Sequence, residues 1–318
     1  MDDLMVSICC TTFNHEKYIS EALDSFLMQR TNFPFEILLH DDASTDRTAE
    51  IIREYEKKYP NIIKPIIQTE NQYSKGVEVV YTYNFSRAKG KYIALCEGDD
   101  YWTDTTKLQK QVDYMESNSD CSLCVHAAEK VLVNGNRIDL VRPWNGNKVF
   151  TADDVILGGG GMFSTNSMLF PTILAKKAPE FYLKCPVGDY PLTIYLSLKG
   201  KVFYFDDIMS AYRIAVSNSW SARMQGNLQK NIEHVKKIEE MLKEVDEYSN
   251  FSYSDSIKKH ITENRFNLMI QQKMFKELKL GEYRELYVKL NLNRKVKIFL
   301  KQYLPKITYL LMRIKRKL

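Results

Sequence analysis

Hydrophobic and polar positions switch between two periods along the first hundred residues. Val6–Thr12 is a short apolar run rich in β-formers, Glu16–Gln29 carries Ile19, Leu23, Phe26 and Leu27 at helical spacing, and Phe35–His40 is strand-like again. Thr45–Lys58 reads as a helix with acidic and hydroxyl residues near its start and lysines at its end. Ile62–Ile67 reads as a strand, Val77–Ala88 as a helix and Tyr92–Cys96 as a fourth strand. Strands alternating with helices predict βαβ units and a mainly parallel sheet with helices on both faces. In such a sheet, ligands bind outside the carboxyl ends of the strands.

Beyond Asp104 the pattern changes. Lys107–Ser117 predicts a helix, and Ser122–Ala127 and Glu129–Val133 predict strands, the second turning at Asn134-Gly135, a hairpin signal. A glycine run, Gly158–Gly161, precedes a strand at Ser167–Phe170, a helix beginning near Asp189 and a strand at Lys201–Phe205. From about residue 225 helical spacing dominates, with Ile232, Val235, Ile238, Met241 and Leu242 forming an apolar stripe. The expected organisation is a domain over 1–224, with halves 1–104 and 105–224, and a helical extension over 225–318 that ends in a basic amphipathic tail, 294–318.

The 318 residues are 44% hydrophobic and 27% charged, which excludes a disordered, collagen-like or disulfide-framework chain. The net charge of +5 is unevenly spread: nine cations and no acid lie in 294–318, which leaves 36 cations against 40 acids in the body. An acidic body argues against nucleic acid as its partner. Met-Asp-Asp-Leu carries no basic region before an apolar run, so no signal peptide is expected, and Lys301, Pro305 and Lys306 interrupt the apolar part of the tail. The six cysteines, mostly in apolar runs, suit reduced thiols in a cytoplasmic protein. Cys121 and Cys124 have the spacing of half a zinc site, but no second ligand pair accompanies them.

Three of the early strands end in chemistry: Thr11-Thr-Phe-Asn14, Asp41-Asp-Ala-Ser-Thr-Asp-Arg-Thr48 and Glu97-Gly-Asp-Asp-Tyr-Trp102. Converging on one crevice, these groups could stack a nucleobase, accept its ring N–H and hold a divalent cation. Each also has a plain structural reading, the second as a turn and helix cap and the third as a solvated acidic loop. Three clustered acids repel one another, and hard oxygen ligands favour Mg2+ or Mn2+ bound through one or two carboxylates plus substrate phosphates. Neither a P-loop nor a dinucleotide glycine fingerprint is present, so a phosphate ligand would be held through metal.

Val6–Asn14, Ser25–Gln29, Phe35–Thr48 and Ala88–Trp102, in that order and spacing, resemble the family 2 glycosyltransferases of the GT-A fold; the likeness covers about residues 4–222. It implies an α/β fold with a Rossmann-like, mixed and mainly parallel sheet flanked by helices. It also implies inverting transfer from a nucleotide sugar, foremost a UDP-sugar, with Mn2+ or Mg2+. Asp42 would accept the uracil N3–H and Thr11 and Phe13 would line the base, with Asn14, Ser44, Asn84, Glu97, Asp99 and Arg213 completing the donor-binding set. Asp100, with Asp99, would ligate the metal. Asp189 would be the base that deprotonates the acceptor hydroxyl, although as a helix-capping anion its pKa should fall. Gly158–Met168 resembles the family's acceptor loop, with a plain flexible connector as the alternative, and Ala211–Ser221 resembles the loop that closes over the donor. Two positions depart from the pattern. Glu97 opens the acidic motif in place of Asp, and Ala215 stands where many relatives carry histidine, so that role is missing or passes to Arg213.

The resemblance implies an acceptor that is a glycan or lipid-linked saccharide in surface polysaccharide biosynthesis. The basic tail suits a peripheral contact with an anionic membrane surface at the inner face of the cell membrane; docking on the acidic body or a homo-oligomer contact are its alternatives. A nucleotidyltransferase of similar fold would want a basic, glycine-rich loop that Thr11–Lys17 does not supply, and a non-catalytic nucleotide- or glycan-binding module is kept open by Ala215. The five histidines, His15, His40, His126, His234 and His260, read as structural or exposed.

Overall fold

The computed structural model of the chain describes residues 4–185, 187–214 and 227–304. Ala215, the remainder of the segment to Ser221, and the tail from residue 305 lie outside the described residues. The chain divides into two compact units, Met1–Arg223 and Met224–Leu318.

In the first unit β1 (Val6–Thr12), α1 (Ile19–Leu27), β2 (Phe35–Asp41), α2 (Thr48–Lys58), β3 (Ile63–Ile67), α3 (Val79–Tyr83) and β4 (Tyr92–Leu95) alternate as the pattern predicts. β5 (Tyr101–Trp102), α4 (Lys107–Ser117), β6 (Cys121–Val131), β7 (Arg137–Val141) and β8 (Lys148–Phe150) follow. Then come α5 (Ala152–Gly158), β9 (Leu169–Pro171), α6 (Thr172–Ala175), α7 (Glu180–Leu183), α8 (Asp189–Ser197) and β10 (Lys201–Arg213). The strands form one sheet in the order β3-β2-β1-β4-β9-β6-β10-β5, with β7 on β6 and β8 on β10. β1 to β4 are parallel, β9 runs antiparallel between β4 and β6, and β6 and β10 are parallel. This is the mixed, mainly parallel α/β sheet expected. β1 packs Val6, Ile8 and Cys10 into a core shared with Ile19, Leu23 and Phe26 of α1 and Leu108, Val112 and Met115 of α4. Entry into β4 requires glycine at Gly90, where a Cβ would lie 2.5 Å from the Ser7 amide nitrogen.

The segment predicted as one helix over Val77–Ala88 is instead α3 followed by a 3-10 turn at Phe85–Arg87. The fully buried Asn84 separates them and donates its side-chain amide to the Cys10 carbonyl at 3.1 Å, while Val79, Val80 and Thr82 are β-branched and weak in helices. The two strands predicted over Ser122–Val133 are one continuous β6, and the Asn134-Gly135 turn leads into its hairpin partner β7. β10 runs eight residues past the predicted Phe205, to Arg213, through register shifts against β6 between Phe205 and Ser210. Cys121 and Cys124 are both buried in the core that α4 covers, with a register shift of β6 between them.

The second unit contains helices Leu228–Tyr248, Ser254–Gln271, Tyr283–Lys289 and Leu292–Tyr303. In the first of them Ile238, Met241, Leu242 and Val245 are buried. Phe266, Phe275, Leu278 and Ile298 form a small core of their own.

Candidate active site

Parallel pairing puts the ends of β1, β2 and β4 side by side, and backbone hydrogen bonds carry that register into the loops beyond. The Asp42 amide donates to the Thr12 carbonyl at 3.0 Å, and the Gly98 amide to the Thr11 carbonyl at 2.9 Å. The three acidic or polar strand ends therefore hang from one strand.

At the end of β2, Asp41 accepts from the Ser44 amide and hydroxyl. Asp42, 4% exposed, accepts from the Gln72 and Tyr73 amides at 2.7 and 3.0 Å. Asn14 and Ser44 clasp the neighbouring loops: the Asn14 amide donates to Ser44 Oγ and the Thr45 amide to Asn14 Oδ1, both at 2.8 Å. Asn14 and Ala43 both have positive φ, 58° and 63°, a conformation asparagine tolerates and alanine adopts only under constraint. Phe13 is exposed at the rim and Thr11 half-buried.

At the end of β4 the acids are held less completely. Asp100, 1% exposed, accepts from the Arg213 amide at 2.7 Å and from Asn166 Nδ2 at 3.0 Å. Asp99 has His15 Nε2 at 3.8 Å, and Glu97, an exposed residue, has no hydrogen-bond donor among the described residues. Crowding by protein atoms, then the charges of Asp99 and Asp189, push the Glu97 carboxyl up to about 8. Burial, then Asp99 and Glu97, push Asp100 well above the usual carboxylate range. Asp189 opens α8 and accepts from the Tyr190 amide at 2.7 Å. The helix start does favour its anion, but burial outweighs that and the carboxyl is raised. Tyr212 of β10 feels Glu97, Asp100, Asp99 and Asp189 together, which adds to burial in raising its phenol.

The Glycosyl transferase family 2 profile matches residues 7–170, just over half of the chain. The chain belongs to glycosyl transferase family 2. An uncharacterized Mycobacterium tuberculosis protein is 34% identical over 219 residues, 68% of this chain and 60% of that protein, so the chain spans about three fifths of the relatives it matches first. An Escherichia coli protein named UDP-Glc:alpha-D-GlcNAc-diphosphoundecaprenol beta-1,3-glucosyltransferase is 36% identical over 113 residues, 36% of this chain and 42% of that one. Among solved structures, Staphylococcus aureus TarS residues 1–349 in complex with UDP-GlcNAc shares the fold, with a TM-score of 0.62 at 16% identity over 92% of this chain and 78% of that one. The GT-A fold follows from that likeness.

In this family member several residues expected at the donor hydrogen-bond to the scaffold. Asn84, fully buried, holds Cys10 and accepts from Arg87 at 3.3 Å. Arg213 is engaged by the scaffold. Its guanidinium donates to Glu21 at 2.6 Å and to the Asp99 carbonyl, lies 4.6 and 5.0 Å from the Tyr18 and Tyr101 ring centres, and leaves the side chain 4% exposed. Asp100, expected beside Asp99 as a metal ligand, is tied on both oxygens to the scaffold. Asp99 and Glu97 are the carboxylates left without a close donor. Two hard carboxylates side by side fit a divalent cation; no group of three or more ligating side chains gathers around one point among the described residues.

Three residues enter the site that the sequence did not single out. His15 follows Asn14 directly; Gly98 makes room for it, since a Cβ there would lie 3.1 Å from His15 Nδ1. Asn166, inside the glycine-led 158–168 segment, donates to Asp100 and to the Ala211 carbonyl and accepts from the Ser164 and Ser210 hydroxyls. Glu78 caps α3 and lies close enough to Gly188 that a Cβ there would be 3.5 Å from its carboxylate. A serine–threonine-rich stretch after a glycine run, such as 158–168, is the one signal that could have pointed to Asn166.

Proposed function

We propose that this glycosyltransferase moves a sugar, with inversion, from a UDP-sugar to a hydroxyl of a glycan or lipid-linked saccharide in surface polysaccharide assembly. The observation that carries the reading is that the acidic ends of β2 and β4 are both hydrogen-bonded to the end of β1, which sets Asp42 and the Glu97–Asp100 loop on either side of Thr11 and Thr12. The uracil would lie along Thr11 and Phe13, with the lone pairs that remain on Asp42 turned to its N3–H. Asp99, with Glu97 beside it, would hold Mn2+ or Mg2+, which when bound would neutralise charge on the departing diphosphate. Asp189 takes the proton of the acceptor hydroxyl as that oxygen bonds to the anomeric carbon and the bond from that carbon to the diphosphate breaks, releasing UDP. A carboxyl raised by burial suits a general base better than a capping anion would. Work on a lipid-linked acceptor would put the enzyme at the inner membrane face, with the basic segment 294–318 as its contact.

The test is donor hydrolysis and transfer by the purified chain with a panel of nucleotide sugars and Mn2+. Asp189→Asn is expected to lower kcat by about 10^2–10^4-fold while UDP binding by calorimetry stays unchanged. Wild-type transfer by that variant would remove Asp189 from the mechanism, and pyrophosphate release from a nucleoside triphosphate would replace transfer by nucleotidyl chemistry.

A further inference from the structure

Asp99 is held by its peptide rather than by its carboxylate. β5 pairs antiparallel with β10, Ala211 against Tyr101, and that register, continued by two residues, sets Arg213 opposite Asp99. Arg213 Nη1 donates to the Asp99 carbonyl, and the Arg213 amide donates to Asp100 Oδ1 at 2.7 Å. One residue therefore grips both members of the acidic pair and leaves the two carboxylate oxygens of Asp99 free of it. Its charge also opposes those of Asp99 and Glu97 at Asp100. The guanidinium is fixed in turn from α1. Nη2 donates at 2.6 Å to Glu21, in the first turn of that helix, and the rings of Tyr18 and Tyr101 stand against the guanidinium, their centres 4.6 and 5.0 Å away. A lysine ammonium has neither the fork of donors nor the flat face that these contacts use. Within the ion pair the Arg213 side chain is 4% exposed and that of Glu21 51%, so Glu21 can be changed without opening the core.

We propose that Arg213, anchored by Glu21, is the positioning residue of Asp99, and that this pair sets how tightly the protein holds its divalent cation. A carboxylate that ligates a cation must keep its oxygens available and its backbone still. Side-chain donors from the scaffold would fix it but occupy those oxygens, as they do at Asp100. A donor on the carbonyl fixes the residue and leaves the oxygens to the cation. The inference rests on the proposed role of Asp99 as a metal ligand; the contacts of Arg213 are read from the structure alone.

The experiment is calorimetry of UDP binding to the full chain at a series of Mn2+ concentrations, with urea unfolding of the same samples. The rise of UDP affinity with Mn2+ reads, by linkage, how tightly the UDP complex holds the cation. Arg213→Lys is expected to weaken the cation about tenfold or more and Glu21→Gln about threefold, while metal-free UDP binding stays within about threefold of wild type. Adding Glu21→Gln to Arg213→Lys should cost the cation nothing further, because the two residues act in series. A purely structural role would lower the urea midpoint and leave the Mn2+ dependence as in wild type. That result overturns the proposal, and so does a Glu21 effect that adds in full to that of Arg213. If Arg213→Lys fails to fold, Glu21→Gln decides alone, and an unchanged Mn2+ dependence in it overturns the proposal. A wild-type chain whose UDP affinity ignores Mn2+ would overturn the metal reading of Asp99 and this proposal with it, whereas a Mn2+ response that the variants share in full removes only the role of Arg213.

Discussion

The two acidic strand ends are built from the same side chains and held in opposite ways. After β2, the carboxylates of Asp41 and Asp42 accept four hydrogen bonds, from both donors of Ser44 and from the Gln72 and Tyr73 amides. After β4, Asp100 accepts from the scaffold, Asp99 faces only His15 at 3.8 Å, and Glu97 has no donor among the described residues. A carboxylate with a donor on each oxygen is fixed in place, and its remaining lone pairs are aimed. At Glu97, burial and the neighbouring charges of Asp99 and Asp189 raise the carboxyl, and an arriving cation would relieve that repulsion. The first end is built to orient a ligand, the second to be neutralised by one.

The largest expected effect separates the two ends directly. Asp99→Ala should cut Mn2+-dependent donor hydrolysis about a hundredfold or more, yet leave metal-free UDP binding within about threefold. Asp42→Ala should weaken UDP binding with and without metal. Calorimetry with UDP, with and without Mn2+, reads both. If the two variants lost metal-free binding equally, the division of labour between the strand ends would be gone.

The strand ends themselves were legible because they obey local rules. Short, continuous apolar runs end in Asp, Glu, Ser, Thr and Asn, so β1, β2 and β4 and the position of Asp42 and Glu97–Asp100 at their ends followed from pattern and resemblance. What the sequence hid was which atoms are spent. Asn84, Arg213 and Asp100 look like ligands by type, but each is committed to partners far along the chain: Cys10, Glu21 and Asn166. His15 and Asn166 were missed for the converse reason, since only the folded register of β1, β4 and β10 brings them to the acids. The sign of the Asp189 shift was also illegible: its helix cap is local, whereas the burial that outweighs it is tertiary.

Next in size is the support of the β4 end. Asn166 uses both amide hydrogens and accepts two hydroxyls, and its backbone carbonyl accepts from Trp102 Nε1 at 2.9 Å. Asn166→Ala would orphan a buried carboxylate oxygen and two hydroxyls, a loss of about 3 kcal/mol in urea unfolding. Asn166→Asp should be worse, since it places a second carboxylate on Asp100. A loss under about 1 kcal/mol would show that water replaces the amide and that Asp100 is not held from this side.

Beneath that support lies a buried amine. Lys107 is fully buried, donates to Gln111 at 2.8 Å and sits 4.0 Å from the Trp102 ring centre, and burial lowers its pKa to about 7. The facing groups are the Cys96 and Cys124 thiols and His126, whose own basicity is suppressed by burial. Between pH 7 and about 10.4, the ordinary lysine value, the unfolded chain binds a proton at this position that the folded chain does not. Stability from this group therefore rises with pH, by about 2 kcal/mol from pH 7 to 9; below pH 7 both states are protonated and the slope vanishes. Lys107→Met should flatten that rise in urea titrations across the window, and a rise of equal slope in the variant would assign it to other groups.

The smallest effect is expected at the other end, and its size is the point. Ser44→Ala removes one of the two donors to Asp41 and the acceptor for the Asn14 amide. The Ser44 amide still donates to Asp41 at 3.1 Å, Asn14 Oδ1 still accepts from the Thr45 amide, and Asp42 keeps both of its backbone donors. Because the clasp is redundant, the loss should be about 1 kcal/mol in stability, with UDP affinity within about threefold of wild type. Backbone amides survive truncation of the side chain, so an end held by them tolerates side-chain loss, whereas the β4 end depends on the side chain of Asn166 for half of its Asp100 contacts. A tenfold or greater loss of UDP affinity in Ser44→Ala would mean that the hydroxyl itself aims the β2 end, and the contrast between the two ends would then rest on the metal alone.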